Sequence, residues 1–172
     1  EVAIIDKAWE EGFFTDLTTG FLGVNRDTNL RPDSSLESLS KLKPVFGKRD
    51  AEQHGAQATM TAGNSTPLTD GASVALLGSE EWASAHNIEP RAFLVDSETA
   101  AVDFVHGPDG LLMAPTYAVP RLLERNNLSL QDFDFYEIHE AFASQVLATL
   151  SAWEDETYCR ERLGLDAPLG SI

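Results

Sequence analysis

The sequence predicts an α/β protein, because helical and strand patterns alternate along its second half. Residues 115–126 carry apolar side chains at helical spacing, residues 133–138 (FDFYEI) alternate as strands do, and residues 141–153 return to helical spacing. A helix, a strand and a second helix in succession are typical of layered α/β architectures with right-handed crossover connections.

The first half of the chain is predicted to be less regular. Apolar residues recur at steps of three and four over residues 2–13, which predicts a short amphipathic helix. Scattered Gly, Asn and Pro over residues 17–44 predict an ordered loop with room for one strand. Within it, residues 35–42 can supply one or two helical turns. Another loop is expected over residues 48–60.

The middle of the chain is predicted to add one helix and one or two strands. Residues 72–85 have helical spacing, and Thr69 or Asp70 can cap that helix. Residues 91–104 are rich in Ala, Val and Phe, which predicts one longer strand or two short ones. Pro115 is well placed as the first residue of the next helix.

Composition excludes several classes of protein. The 172 residues carry 28 acidic and 12 basic side chains, a net charge of -16, which disfavours binding to nucleic acid or anionic lipid. No apolar run approaches the roughly 18 residues that span a bilayer, and the single Cys159 cannot form an internal disulfide. We expect a cytoplasmic protein without a membrane span. Because Glu1 lies inside a helical pattern, we also expect a piece of a larger protein.

The sharpest local feature is residues 137–142 (EIHEAF), where a predicted strand meets a predicted helix. Ligands usually bind at the carboxyl ends of strands in α/β sheets, and the following helix N-terminus offers unpaired N–H groups. A neutral His139 there can donate a hydrogen bond to a developing oxyanion, directly or through a water. The alternative, which spacing alone favours, is that His139 or Glu140 only caps the helix.

Two further motifs are candidates for ligand binding. In residues 61–73 (TAGNSTPLTDGAS), Gly63 and Gly71 allow close backbone approach by an extended ligand, although an ordinary turn explains them too. The motif lacks the lysine of a phosphate P-loop. Residues 41–49 (KLKPVFGKR) concentrate four basic side chains, which suit the phosphates of a nucleotide-like ligand or a solvated face.

Metal and thiol chemistry have little support. The four histidines lack metal-ligand spacing, and Cys159 has no C-x-x-C partner. Cys159 lies in a predicted amphipathic helix, where Arg160 and Arg162 are close enough in sequence to lower its pKa. A structural cysteine is the favoured interpretation, because no histidine nearby is apparent as a base.

The order of these motifs resembles the thiolase family, the acyl-CoA C-acyltransferases that make or cleave 3-ketoacyl-CoA. Members carry T-A-x-N-x-S-x-x-x-D-G-A before a helix, then G-P, a helix, a strand and N-E-A-F or H-E-A-F. The matching residues are Thr61, Ala62, Asn64, Asp70, Gly71, Ala72, Ala114, Pro115, Thr116, Tyr117, His139, Glu140, Ala141 and Phe142. The histidine form, with G-P-D-x-x-L-x-x-P-T-Y-A-x-P, most resembles the subgroup of trifunctional-complex β-subunits and related bacterial acetyl-CoA acetyltransferases.

The resemblance implies a partial thiolase fold of the α/β class. Residues 1–65 would be the end of the loop domain, and residues 66–172 most of the C-terminal α/β half. His139 would help to bind the water that completes an oxyanion hole, and the Thr66 hydroxyl would bond the pantetheine arm. The resemblance places further side chains along the CoA tunnel: Phe46, Ala62, Leu68, Leu111, Ala141 and Phe142.

The resemblance also implies substrates and partners. Coenzyme A and acyl-CoA would be the substrates, with no metal and no redox cofactor. The parent protein would be a homo-oligomer, and a complex with fatty-acid oxidation subunits is compatible with the subgroup. The basic stretch at residues 41–49 would belong to a CoA-phosphate surface.

Three elements of thiolase chemistry are missing from these 172 residues. A nucleophilic cysteine takes the acyl group, a histidine in G-H-P activates it, and a second cysteine in C-x-G moves the substrate α-proton. Neither motif occurs here, and Cys159 is not in C-x-G. We therefore expect an internal fragment of an acetyl-CoA C-acyltransferase that is inactive alone. The alternatives are a non-catalytic module that binds acyl-CoA or a partner subunit, and an acidic structural adapter.

Overall fold

The regular elements of the protein are helices. The structure is a computed structural model that describes residues 2–172. Over that range it contains seven α-helices and one 3₁₀ helix: α1 (Val2–Glu10), α2 (Leu36–Ser40), α3 (Lys48–Gln53), α4 (Glu80–Ala85), α5 (Pro115–Asn126), the 3₁₀ helix (Leu130–Asp132), α6 (Ala143–Glu154) and α7 (Glu156–Glu161). The chain divides into two compact units, one ending at Pro67 and the other covering Leu68–Ile172.

Short helices of the first unit begin at defined local signals. Ser35 and Ser38 form a reciprocal capping box at the start of α2, where the sequence predicted helical turns. Gly47 precedes α3 with a φ of 72°, a left-handed conformation that glycine adopts without steric cost. The prediction of a loop over residues 48–60 is therefore wrong for residues 48–53, which form α3.

The second unit is organised around a small apolar core. Leu123 of α5, Leu130 of the 3₁₀ helix and Trp153 of α6 are buried together. Side chains of Val119, Tyr136, Leu150, Leu163 and Leu169 pack against them. Helix α6 contacts both α5 and α7. This core therefore fixes the helix that follows the EIHEAF motif.

Two of these helices confirm the sequence prediction closely. Helix α5 has Pro115 in its first turn and ends at Asn126, and the C-cap residue Asn127 has a left-handed φ of 52°. Helix α6 covers Ala143–Glu154, against a prediction of residues 141–153. Both signals are local, since a proline start and a 3.6-residue apolar period depend little on distant residues.

Helix α4 is shorter than predicted. It covers only Glu80–Ala85, so the prediction of a helix over residues 72–85 is wrong for its first eight residues. The Ser79 side chain accepts a hydrogen bond from the Trp82 backbone N–H at 3.2 Å, which makes Ser79 the N-cap in place of Thr69 or Asp70.

The predicted strands are not formed as paired strands in the described part of the chain. Residues 91–104 and 133–138 carry no β-ladder there, and the isolated bridges join Phe21 to Val24 and Pro44 to Thr61. A strand needs a neighbour that satisfies its N–H and C=O groups. Neither predicted segment pairs with one among residues 2–172, which is the physical reason for the difference.

Apolar side chains on these unpaired segments, and on the residues just before α4, are exposed. The exposed set includes Val74, Leu76, Leu77, Phe93, Leu94, Val95 and Phe135. These residues bury little apolar surface against the described residues, and the core lies with α5, the 3₁₀ helix and α6 instead. Within residues 2–172, no helix combines the length and the apolar character needed to cross a membrane.

Candidate functional site

His139 lies on an irregular segment between the 3₁₀ helix and α6. Its side chain is exposed, and Ala141 and Phe142 beyond it are half-buried. Helix α6 begins at Ala143, and the N–H groups of Gln145 and Val146 already bond the Phe142 carbonyl. An exposed imidazole just before a helix N-terminus can reach a ligand carbonyl, directly or through a water.

The capping alternative for this motif is wrong. The N-cap residue of α6 is Phe142, with extended φ and ψ of -143° and 135°, and no side chain caps that position. Neither His139 nor Glu140 therefore has the position of a cap. This outcome leaves the imidazole exposed for the role that the resemblance implies.

The TAGNST motif of the first unit forms a turn built around Asn64. The Asn64 Oδ1 accepts from the Thr61 N–H at 2.8 Å, and its Nδ2 donates to the Thr59 carbonyl at 3.0 Å. The Ser65 hydroxyl donates to the Thr61 carbonyl at 2.7 Å. The asparagine thus satisfies two backbone groups of the segment that enters the turn, which gives the motif a defined shape.

One β-bridge brings the TAGNST motif to the KLKPVF motif. Pro44 pairs with Thr61, and the Val45 N–H donates to the Met60 carbonyl at 2.8 Å. Phe46, which is half-exposed, follows directly. Two motifs that are about fifteen residues apart in the sequence are therefore neighbours in space, as a shared ligand surface requires.

An open cleft of about 360 Å³ lies beside this bridge. Its lining comes from Leu39, Ser40, Leu42, Pro44, Gln57, Ala58, Thr59, Thr61, Gly63 and Asn64. A Cβ at Gly63 would lie 2.6 Å from Leu39 Cδ2 and 2.7 Å from Leu42 Cδ1. Glycine at position 63 therefore lets the turn approach the α2 region closely. The close approach of a ligand that the sequence predicted there stays a prediction.

The other residues expected to line a CoA tunnel are exposed in the structure. In the first unit, Ala62 is exposed, and the exposed Thr66 directs its hydroxyl to the Pro67 carbonyl at 3.4 Å. In the second unit, Leu68 is fully exposed, and Leu111 is 60% exposed on the loop before α5. Their assignment to a tunnel stays a prediction.

The basic stretch at residues 41–49 is solvated. Lys41 Nζ pairs with the Glu37 carboxylate at 2.6 Å, and both side chains are largely exposed. Lys43, Lys48 and Arg49 are exposed as well. A CoA-phosphate role for them stays a prediction.

Cys159 is buried, as expected of a structural cysteine. Its side chain is 0% exposed, and Sγ lies 3.4 Å from both the Ala152 and the Trp153 carbonyl oxygens. Its single S–H proton can be donated weakly to either carbonyl, within the packing of α6 and α7. A thiol in this position has no open path to a substrate.

One polar cluster of the second unit was missed by the sequence reasoning. Asp109 meets Tyr117, Tyr158 and Arg162, residues that are up to 53 positions away in the chain. The only sequence signal was the G-P-D-x-x-L-x-x-P-T-Y motif, which contains Asp109 and Tyr117.

No cluster of side chains suited to a metal ion occurs in the part of the chain that the structure describes.

Two family models match the chain in succession. The model described as the N-terminal domain of thiolase matches residues 5–81, and that of the C-terminal domain of thiolase matches residues 88–159. The boundary between the two matches lies after the Pro67 boundary between the compact units. The predicted division at residue 65 stays a prediction.

Curated relatives resemble the chain over most of its length. A probable 3-ketoacyl-CoA thiolase of Caenorhabditis elegans is 40% identical over 174 residues, which cover 98% of this chain and 37% of that protein. The 3-ketoacyl-CoA thiolase of Shewanella sp. (strain W3-18-1) is 42% identical over 149 residues, 87% of this chain and 32% of that protein. The chain spans about a third of the length of these relatives.

A solved structure shows the same fold. The crystal structure of human mitochondrial 3-ketoacyl-CoA thiolase matches with a TM-score of 0.66 and 29% identity, covering 96% of this chain and 42% of that one. The expected partial thiolase fold is thereby confirmed, although its strands are not paired here. With both family models and this backbone in agreement, the chain belongs to the thiolase family.

Proposed function

We propose that these residues form part of a 3-ketoacyl-CoA thiolase, an acyl-CoA C-acyltransferase. The parent enzyme would form or cleave 3-ketoacyl-CoA by moving an acyl group to or from CoA. The observation that carries the proposal is the 40% identity to a probable 3-ketoacyl-CoA thiolase along 98% of this chain. The matched range includes the TAGNST motif (residues 61–66), the APTY motif (residues 114–117) and the HEAF motif (residues 139–142).

In this proposal His139 stabilises the thioester oxyanion. An exposed imidazole one turn before the first residues of α6 can donate to a bound water or to the carbonyl oxygen itself. The resemblance assigns contacts with the CoA moiety to Thr66, Phe46, Ala141 and Phe142, and these assignments belong to the proposal. No step of this proposal requires a metal or a redox cofactor.

The proposal assigns the covalent chemistry to residues outside these 172. The single thiol is buried and donates to backbone carbonyls, so Cys159 is not placed to attack a thioester. We therefore expect the 172-residue chain alone to show no thiolysis. Turnover by this chain comparable with that of an intact thiolase would contradict this expectation.

The test uses the full-length protein that carries this sequence. His139→Ala should lower kcat for thiolysis of a 3-ketoacyl-CoA by about 10²-fold, the usual loss when an oxyanion donor is removed. His139→Asn should retain more activity, because an amide can also bind the water. His86→Ala is the matched control, since the exposed His86 ring stacks on Trp82, its Nδ1 lies 2.8 Å from the Trp82 carbonyl oxygen, and it has no assigned role in the site.

The outcomes separate the competing functions. CoA binding without thiolysis in the full-length protein would favour a non-catalytic acyl-CoA module, and absence of CoA binding would favour a structural adapter. Equal effects of His139→Ala and His86→Ala on kcat would contradict the oxyanion role of His139.

A cytoplasmic location, a homo-oligomer and association with fatty-acid oxidation subunits belong to the same proposal. Cell fractionation and size-exclusion chromatography test them.

A further inference from the structure

Asp109 is the centre of a polar cluster that joins three parts of the second unit. Its Oδ1 lies 2.8 Å from Arg162 Nη2, and the Tyr117 hydroxyl lies 3.1 Å from both carboxylate oxygens. The Tyr158 hydroxyl lies 3.4 Å from Oδ1. Because the Asp109 side chain is only 12% exposed, this ion pair is better shielded than the other ion pairs of the described residues.

Thr116 extends the cluster to the backbone. This threonine is 0% exposed, and its hydroxyl donates to the Met113 carbonyl at 2.6 Å. Its oxygen also lies 3.2 Å from the Tyr158 hydroxyl. Since the threonine proton is already donated, Tyr158 is the donor to Thr116 or to Asp109. Burial raises the pKa of Tyr158, which keeps that proton in place.

Together these bonds fasten the loop before α5 at both of its ends. Asp109 forms an ion pair with Arg162, the residue that follows α7, and the Met113 carbonyl accepts a hydrogen bond from Thr116 in the first turn of α5. Between these two points, the Met113 N–H closes a turn onto the Gly110 carbonyl at 3.2 Å. Leu111 lies at the tip of that turn and is 60% exposed.

An exposed apolar side chain on a fastened loop is typical of a binding element. Loops carry ligand contacts when a rigid scaffold positions them, and the Asp109–Arg162 ion pair, with side chains 12% and 31% exposed, ties this loop to the scaffold. We propose that Asp109 is a positioning residue that holds Leu111 against the acyl-CoA substrate and thereby sets the acyl-chain preference. This inference rests on the proposed thiolase function and on the place of Leu111 beside the CoA substrate that the resemblance implies.

The test is a double-mutant cycle in the full-length enzyme. Thiolysis of 3-ketoacyl-CoA substrates with short and long acyl chains is measured for Asp109→Asn, Leu111→Ala and the double variant. We expect Leu111→Ala to change the ratio of kcat/KM between long and short chains by about tenfold, as hydrophobic pocket contacts do. Asp109→Asn should change the ratio in the same direction, mainly through KM.

Non-additivity is the signature of positioning. If Asp109 acts through Leu111, the double variant should have the chain-length ratio of Leu111→Ala alone. Arg162→Lys keeps the charge but loses the planar guanidinium, and a smaller shift in the same direction is expected. This variant gives an independent measurement if Asp109→Asn fails to fold.

Arg125→Met is the matched control. Arg125 is an ion-paired arginine of α5 that bonds the Asp96 carboxylate at 2.8 Å, but it fastens a segment without any expected binding residue. It should leave the chain-length ratio unchanged. An equal shift in Arg125→Met, or additive effects of Asp109→Asn and Leu111→Ala, would overturn the inference.

Failure of the inference is distinguishable from failure of the proposed function. A wild-type enzyme that does not cleave any 3-ketoacyl-CoA contradicts both. A wild-type enzyme that is active, with a chain-length ratio unaffected by Asp109→Asn and Arg162→Lys, contradicts only the positioning role.

Discussion

Replacing Leu130 with alanine tests the apolar core that supports the HEAF segment. Leu130 is 1% exposed and packs with Leu123 and Trp153. Removing three carbon atoms costs about 2.4 kcal/mol of transfer energy at ~0.8 kcal/mol each. The cavity left behind raises the expected loss in the free energy of unfolding to about 3–5 kcal/mol. Urea denaturation of the 172-residue chain, followed by Trp153 fluorescence with Trp9 and Trp82 replaced by phenylalanine, measures it.

Leu147→Ala is the control for that measurement. Leu147 lies on α6, the helix that contributes Trp153 to the core, but its side chain is 66% exposed. The same chemical change there should alter the free energy of unfolding by no more than about 0.5 kcal/mol. If the two variants lose equal stability, the burial of Leu130 is not what holds α5 and α6 together, and the reasoning is refuted.

Three further predictions follow from local contacts. Asn64→Ala should destabilise the first unit by about 1–2 kcal/mol, because the Thr61 N–H and the Thr59 carbonyl lose their partner. Amide hydrogen exchange in the first unit measures the loss, and exchange as slow as in the wild type would contradict the prediction. Hydrogen bonds from Arg125 lower the pKa values of Asp96 and Glu98 in the folded protein. These carboxylates therefore stabilise the fold at pH values above their unfolded pKa of about 4, and this stabilisation is lost as the pH falls through their folded pKa values. Arg125→Met should therefore flatten the acid end of a stability-pH curve, and an unchanged curve would refute the assignment. Cys159 should react with a thiol reagent slowly in buffer and rapidly in urea, since it is 0% exposed; immediate full labelling in buffer would show otherwise.

Helices were predictable because their signals are local. Pro115 at a helix start and the apolar period of residues 141–153 gave two helices within a few residues of their observed bounds. The start of α4 was missed by eight residues, since a run of small and apolar residues before Ser79 matched helical spacing without a cap. Periodicity alone does not decide where a helix begins.

Strands were less predictable for a different reason. The alternation of residues 133–138 describes side chains, whereas a strand forms only when a neighbour accepts its hydrogen bonds. The local pattern could not say whether that neighbour lies among residues 2–172. Phe135 and the apolar residues around Leu94 are accordingly exposed.

Candidate site residues were partly predictable. The TAGNST and HEAF motifs were identified from residue types and order, and the resemblance that they carried led to the thiolase family. Whether His139 caps α6 could not be decided from spacing, because the N-cap depends on the φ and ψ of Phe142. The partners of Asp109 were also out of reach, since they come from α5 and from the end of α7.

The sequence by itself determined the family and helices α5 and α6, because motif order and helical periodicity are properties of neighbouring residues. It also determined that Cys159 is the only thiol. Tertiary structure alone decided that this thiol is buried, that residues 44 and 61 are bridged, and that Asp109 fastens the loop of Leu111. Burial and hydrogen-bond pairing join residues far apart in the chain, and only the folded backbone brings those residues within bonding distance.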